Sequence, residues 1–232
     1  MGFTAVARKG HNSTAMLHVV GKDIVKFHGI YWPAFLLALD LPMPKQLLTH
    51  AHWTMNHKKM SKSDGNVVNP FYAIQRYGVD AMRFYMAHDG GIQSDGDYSN
   101  EQVVKRYRKE LQFGLGNLCS RVTGPKFDIM AACTMHRDGV WDFDMSDILM
   151  QGLADNTPVD TSELMEKLDV PGALKNIMQL IHETNKYIQH KAPWYLVKSQ
   201  QDIVYQNKII YICCENIRVA AILLQPSSCV YI

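Results

Sequence analysis

The spacing of apolar positions changes along this chain. Leu17-His18-Val19-Val20 is a short apolar run ending at Gly21, and Ile24, Phe27, Tyr31 and Leu36 then recur near helical spacing, which predicts a strand feeding a helix. Pro33 falls inside that pattern and lacks a backbone donor, so a kink or a fresh helix start is expected there. Leu47 to Thr54 reads as a second strand. It leads into the polar stretch Lys58 to Asn66, where Gly65 and Asn66 preclude a continuing helix. Asn69-Pro70 supplies an N-cap and a first helical residue for a helix ending near Gly78, and a second short helix follows from Asp80.

Beyond this point the pattern is helical only. Ser99 and Gln102 form a capping-box pair ahead of Val103, Val104, Tyr107, Leu111, Leu115, Leu118 and Val122, whose three- and four-residue steps predict a long amphipathic helix. Gly124-Pro125 should end it. Lys126 to Val170 shows no sustained period and predicts loops around one short helix near Met145 to Leu153. Leu174, Ile177, Ile181, Asn185 and Ile188 mark another long helix, and Ile203 to Leu224 a last one. The fold class expected is mixed, α/β at the start and α-helical afterwards.

Composition narrows the function classes only slightly. With 232 residues, 47% of them hydrophobic, a core can be buried. Lys and Arg number 24 against 22 Asp and Glu, so overall charge makes no case for nucleic acid, and an RNA contact must come from local patches. The five cysteines are scattered without CxxC or Cys/His zinc spacing, which favours a reducing compartment and predicts no zinc. No apolar run approaches the roughly 20 residues of a membrane span, so no membrane partner is expected. Met1 to Met16 reads as a start that lacks upstream sequence rather than as a clear presequence.

The chemistry is concentrated in the polar stretch. Lys59-Met60-Ser61-Lys62-Ser63, followed by Gly65-Asn66, is the loop signature of class I aminoacyl-tRNA synthetases, and the chain resembles that family here. When a carboxylate attacks the α-phosphate of ATP, negative charge grows on the phosphate oxygens and on departing pyrophosphate. Lys59 and Lys62 are suited to stabilise that charge, and removing one such donor costs on the order of 10² to 10³ in rate. The resemblance implies ATP contacts at Lys59, Met60, Ser61, Lys62 and Ser63. His57 stands where the family usually carries Gly, and Asp64 where Leu is more common. His tolerates positive φ, so the turn is expected to survive, whereas Asp64 adds negative charge beside the phosphate site.

Upstream, His18-Val19-Val20-Gly21-Lys22-Asp23-Ile24-Val25-Lys26-Phe27-His28 and Ile30-Tyr31-Trp32-Pro33-Ala34 resemble the methionyl-tRNA synthetase family's HxxGKDIxxFHxxxWPA pattern. A strand end feeding a helix is where doubly wound folds place ligands. The resemblance implies that Gly21 and Asp23 hold the ATP ribose and that Ile24 and His28, four apart on one helix face, line a methionine side-chain pocket. Taken alone, His28 would be a core histidine. His50 and His52, alternating on the second predicted strand, could in principle ligate a metal but lack a third ligand, so they read as structural. Asp95-x-Asp97 reads as a turn.

In the helical half, Asn117 and Arg121 share a helix face and Lys191-Ala192-Pro193-Trp194 closes the next long helix. These residues resemble the family's anticodon readers: Trp194 would stack on the first base of a CAU loop while Asn117 and Arg121 hydrogen-bond anticodon bases. Alone, each would be a packing anchor or a solvated pair. The resemblance covers about Leu17 to Gln225. It implies a partial class I Rossmann-type catalytic domain at 1–98 and an α-helical bundle anticodon-binding domain at 99–232.

The activity implied is that of a methionine–tRNA ligase, with ATP as substrate together with magnesium, methionine and methionine tRNA as partners, and a monomeric state. A mitochondrial matrix location is expected, with the cytoplasm as the alternative. The family's HIGH motif is absent and Pro226 to Ile232 diverges, so the isolated chain is expected to lack catalysis. A non-catalytic anticodon-binding fragment is the competing expectation. Another class I synthetase is disfavoured by the GKDI, FH and PW residues.

Overall fold

The computed structural model describes residues 17–92, 94–196 and 199–227. The expectations for Met1 to Met16 and for the tail beyond Ser227 lie outside the described residues. Strand β1 (Leu17–Gly21) pairs in parallel with β2 (Gln46–His50), setting Leu17 opposite Gln46 and Gly21 opposite His50. The crossover between them is helical, as a parallel pair requires. It runs through a 3₁₀ turn at Lys22–Ile24 and a π-helical turn at Phe27–Tyr31 into α1 (Trp32–Ala38). Pro33 sits in the first turn of α1 with helical backbone unbroken before it, so the irregularity expected at the proline takes the form of a change from π to α helix.

The second predicted strand is two strands. At His50 the chain leaves the first sheet: the Ala51 amide donates to Ile92 O, and Trp53–Met55 (β3) joins a different sheet. There β3 pairs antiparallel with β4 (Lys58–Lys59) and parallel with β5 (Gly96–Asp97), in the order β4-β3-β5. An apolar run cannot reveal such a switch, because both pieces keep the same composition.

Helices α2 (Pro70–Tyr77) and α3 (Val79–Asp89) follow; Asn69 caps α2 by accepting from Phe71 N, and Gly78, at φ 85°, separates the two. The predicted long helix is continuous but not uniform. It comprises α4 (Asn100–Arg106), a π-helical stretch at Tyr107–Gly116 and α5 (Asn117–Val122). Ser99 supplies its arm of the predicted cap, accepting from Gln102 N.

Residues 126–170 form helices where mostly loops are expected, and the one helix expected there, near Met145 to Leu153, is the start of a longer one. The helices are α6 (Ile129–Arg137), capped by Asp128, and α7 (Met145–Glu166), a helix of 22 residues with Pro158 inside it. Asp144 and Asp147 make a full capping box at the start of α7. The face that α7 buries carries Asp147, Met150, Ala154, Thr157 and Thr161, which is why hydrophobic spacing failed to announce it. Then come α8 (Val170–Lys191), a 3₁₀ turn at Pro193–Tyr195 and α9 (Gln200–Leu224), close to the predicted spans.

Two cores result. The larger is built on Leu118, Ile177, Ile181, Ile188, Ile209 and Ile212 from α5, α8 and α9; each is at most 1% exposed. Truncating any one of them to Ala should cost about 2–5 kcal/mol. The smaller joins Ala73, Met82, Tyr85, Tyr98 and Val103, with Trp53, Met60, Val68 and Tyr77 against it. Helix α3 serves both, sending Phe84 into the larger core and Tyr85 into the smaller. An ion chain ties the two regions: Arg106 grips Asp89 with Nε at 2.8 Å and Nη2 at 2.6 Å, reaches Glu110 at 3.2 Å, and Glu110 meets His182 Nε2 at 2.7 Å.

Candidate functional site

The loop Lys59–Ser63 hangs from a tight hairpin. Asn56 and His57 both take left-handed backbone, at φ 54° and 59°, as a two-residue turn between right-twisted strands demands. Asn accepts this conformation readily; for His it costs about 1–2 kcal/mol. The turn therefore forms with His57 where the family usually carries Gly. Asp97, paired with Thr54 across β3 and β5, holds it in place. Its Oδ1 accepts from the His57 amide at 2.8 Å and from the Thr54 hydroxyl at 2.7 Å. Those two hydrogen bonds hold the Asp97 carboxyl below the usual range.

Beyond the hairpin, Asn66 staples the loop. Its Oδ1 accepts from Ser61 N at 2.8 Å and its Nδ2 donates to Lys59 O at 3.1 Å. The Ser61 and Ser63 hydroxyls lie 2.8 Å apart, Ser61 Oγ accepts from Asp64 N, and Gly65 turns the chain at φ 66°. Met60 is half-buried against the smaller core and anchors the loop by its apolar side chain. Lys59, Lys62, Ser63 and Asp64 are exposed. The loop thus presents two ammonium groups on a braced backbone.

The Gly21–Asp23 turn closes β1. A Cβ at residue 21 would lie 2.8 Å from Asp23 Oδ1 and 4.0 Å from His50 Cε1, so any side chain there would displace the Asp23 carboxylate. Lys22 forms an ion pair with Asp95 at 2.6 Å, and the same oxygen accepts from His52 N at 2.9 Å. Asp95 and Asp97, two apart, therefore brace the Gly21–Asp23 turn and the hairpin of the basic loop, Asp97 from β5 and Asp95 from just before it. The sequence pattern predicts only a turn here, because the partners of the two carboxylates, Lys22 and His52 for Asp95 and Thr54 and His57 for Asp97, lie 40 to 73 residues away along the chain. Ile24 is 38% exposed, and His28, half-buried, places Nδ1 3.2 Å from Ile24 O. A carbonyl only accepts, so Nδ1 carries the proton.

His50 and His52 do not share a strand face. His50 ends β2 with Nδ1 2.8 Å from Ala51 O, and His52 lies in the connection, so the alternation expected of one strand does not hold. Among the described residues no group of three or more His, Cys, Asp or Glu side chains is placed to hold a metal ion.

Arg121 and Trp194 come together in the helical half, with Asn117 one turn from Arg121 along α5. Asn117 Nδ2 donates to Asn185 Oδ1 at 3.3 Å and Arg121 Nη2 to Gln189 Oε1 at 2.8 Å, two rungs between α5 and α8. The Arg121 guanidinium lies 4.9 Å from the centroid of the Trp194 ring. Asn117 is exposed, while Arg121 and Trp194 are half-buried.

A buried ionic cluster supports this region. Asp147, with no exposed surface, receives Lys208 at 2.6 Å, Lys191 at 3.1 Å and the Tyr187 hydroxyl at 2.8 Å. Burial pushes its carboxyl up, but Lys208, Tyr187, the Asp144 amide and Lys191 outweigh this and hold it below the usual range. Burial and the Asp147 carboxylate raise Tyr187 far above an ordinary phenol.

Set beside known proteins, residues 4–123 match the family described as tRNA synthetases class I (M). The chain is 48% identical over 225 residues to a probable mitochondrial methionine–tRNA ligase of Neurospora crassa, covering 90% of this chain and 35% of that protein. It is 40% identical over 215 residues to the methionine–tRNA ligase of Bacillus subtilis, covering 91% of this chain and 32% of that one. Among solved structures, Mycobacterium tuberculosis methionyl-tRNA synthetase in complex with methionyl-adenylate superposes with a TM-score of 0.80 at 30% identity, over 91% of this chain and 42% of that chain. The chain spans about a third of the length of the curated relatives it matches. The motif residues, the fold and these likenesses agree, and the chain belongs to the methionyl-tRNA synthetase family of class I tRNA synthetases.

Proposed function

We propose that this chain is the part of a methionine–tRNA ligase that carries the basic catalytic loop and reads the anticodon. The observation that carries the reading is the braced presentation of Lys59 and Lys62, exposed on a loop held by Asn66 and by the Asp97-bound hairpin. In the first half-reaction a methionine carboxylate oxygen bonds to the α-phosphorus of ATP. The bond from that phosphorus to the bridging oxygen breaks, and pyrophosphate leaves with the electron pair. Lys59 and Lys62 stabilise the negative charge that develops, a contribution made mainly in the transition state.

Asp23 accepts a ribose hydroxyl, Gly21 leaves room for it, and Ile24 and His28 receive the methionine side chain. In the second half-reaction a terminal tRNA ribose hydroxyl oxygen bonds to the methionyl carbonyl carbon, the bond from that carbon to the phosphate oxygen breaks, and AMP leaves with the electron pair while the hydroxyl proton is released. The loop's donors are ammonium groups and hydroxyls with one carboxylate at Asp64. That set does not suit a resident magnesium ion, so magnesium belongs with the nucleotide's phosphates.

We divide the chain at 98 and 99 into a catalytic part and an anticodon-binding part, acting in a monomer. Asn117 and Arg121 contact the bases of a CAU loop and Trp194 stacks on its first base, the placement of Arg121 against Trp194, with Asn117 one turn away along α5, being the support. Relatives named as mitochondrial in Neurospora crassa and Dictyostelium discoideum favour the mitochondrial matrix; the Bacillus subtilis relative keeps the cytoplasm as the alternative.

A second reading, an anticodon-binding piece without catalysis, is favoured by the bare surface around β1 and α1, where Phe27, Ile30, Phe35 and Leu37 are 57–68% exposed. A two-stranded sheet with its apolar surroundings open is a poor catalytic platform. Methionine-dependent exchange of pyrophosphate into ATP tests whether the chain by itself catalyses. The purified chain is expected to give none, and exchange above background would overturn that expectation. In a full-length enzyme carrying this segment, Lys62→Ala is expected to slow adenylation with little change in methionine affinity.

A further inference from the structure

Trp194 stands on a short turn in which Pro193 is buried and Trp194 and Leu196 pack against the larger core. Ala192 leaves α8 in a left-handed conformation at φ 44° and ψ 56°, which side chains rarely adopt. The 3₁₀ turn Pro193–Tyr195 closes through the Tyr195 amide on Ala192 O at 3.1 Å and the Leu196 amide on Pro193 O at 3.2 Å. One side chain from another helix grips both sides of this turn. Gln206 of α9 donates from Nε2 to Pro193 O at 2.8 Å and to Leu196 O at 3.1 Å. Gln206 is 8% exposed. Its two N–H bonds are matched to two carbonyls that bracket Trp194 and Tyr195, an arrangement a buried amide adopts only where the backbone is fixed against it. A neighbour on α9 also reaches the preceding helix end, Tyr205 accepting from Lys191 at 3.0 Å, and Lys208 meets Asp147 of α7, to which Lys191 is also paired.

We propose that Gln206 is a positioning residue for RNA recognition, fixing the Trp194 turn so that the indole is presented edge and face to an anticodon base. This rests on the anticodon reading of Trp194 above. Gln206 touches no base; it acts by keeping the turn from sampling other backbone conformations, so that the cost of ordering it is met on folding rather than on binding.

The test uses the whole 232-residue chain and an RNA stem-loop carrying CAU. Gln206→Met keeps the bulk and loses both donors, whereas Gln206→Glu sets a carboxylate against the two carbonyls. Amide exchange in the free protein should quicken at Tyr195 and Leu196 in both variants and stay slow through Ile209–Ile212. Stem-loop binding, measured well below melting, should weaken roughly tenfold, much as for Trp194→Ala, since one stacked base is at stake. Combining Gln206→Met with Trp194→Ala should bring no further loss.

Unchanged exchange at the turn overturns the proposal without involving RNA. Unchanged stem-loop binding in Gln206→Met, while Trp194→Ala weakens it, overturns Gln206 alone, as do additive losses in the double variant. Unchanged binding in Trp194→Ala itself overturns the anticodon reading and the role of Gln206 with it.

Discussion

Arg121 lies over the indole of Trp194, its guanidinium carbon 4.9 Å from the ring centroid, and is held from behind by Gln189 at 2.8 Å. One residue comes from α5 and the other from the turn after α8, so the site exists only when the helices are packed. A guanidinium on an indole is worth about 0.5–1 kcal/mol where water reaches it. Arg121→Leu should therefore cost little stability yet leave the Trp194 ring more open. Acrylamide quenching of Trp fluorescence should rise, with Trp194→Phe as the reference that identifies the responding ring. Equal quenching in both proteins would show that Arg121 does not cover the indole in solution.

The hairpin before the basic loop makes a separate prediction. His57 is left-handed at φ 59°, so His57→Gly should relieve strain and raise the melting temperature, whereas His57→Val should lower stability by about 1–2 kcal/mol. Asp97→Ala removes the acceptor of the His57 amide, and exchange at that amide should speed up together with tryptic cleavage after Lys59 and Lys62. Thermal melting and amide exchange check both. A hairpin indifferent to His57→Val would mean that the turn is not of this type.

Asp147 answers for the buried lysines. Asp147→Ala leaves Lys191 and Lys208 in the interior without their shared carboxylate, and breaking such a cluster costs about 3–5 kcal/mol. Replacing all three groups by apolar residues should cost far less, because the desolvation of the charges disappears with them. Denaturant melts of the single and triple variants distinguish ionic support from simple packing.

Acid should loosen the junction between the two cores. Burial pushes Asp89 up, but His88, 3.4 Å away, and the two hydrogen bonds from Arg106 outweigh it and bring its pKa to about 2. A carboxyl depressed in the folded state contributes stability that is complete above its unfolded pKa and lost as pH falls through the folded value. Here that window runs from about pH 4 down to about pH 2, with on the order of 2 kcal/mol involved. Asp89→Asn should flatten this part of the pH profile of melting. A profile unchanged by the substitution would remove Asp89 from the account.

The basic loop, its Gly65-Asn66 tail, the capped α2 and the long α8 and α9 were legible because each depends on local chemistry: a polar run, an N-cap, a sustained period. Helix α7 was legible only at its start near Met145, since its inward face is built from Asp147, Thr157 and Thr161, whose burial makes sense only once Lys191, Lys208 and Asn176 arrive from other helices. The break between β2 and β3 was hidden for the same reason: Ile92 and Asp95, far along the chain, decide where Ala51 and His52 bond. Asp95, Asp97 and Gln206 illustrate the general limit. A residue that braces a site through another residue's backbone carries no mark of its own in the sequence.

The most direct test of the methionine–tRNA reading is binding of CAU stem-loop RNA, and of the same loop with its first base changed, to the chain and to Trp194→Ala, with melting recorded for both proteins. Loss of the base or of the indole should each cost about 1–3 kcal/mol, and the two losses should not add, because both remove one stacking contact. Equal losses for Trp194→Ala on matched and mismatched loops, with a lowered melting temperature, would contradict the account and make Trp194 a packing residue.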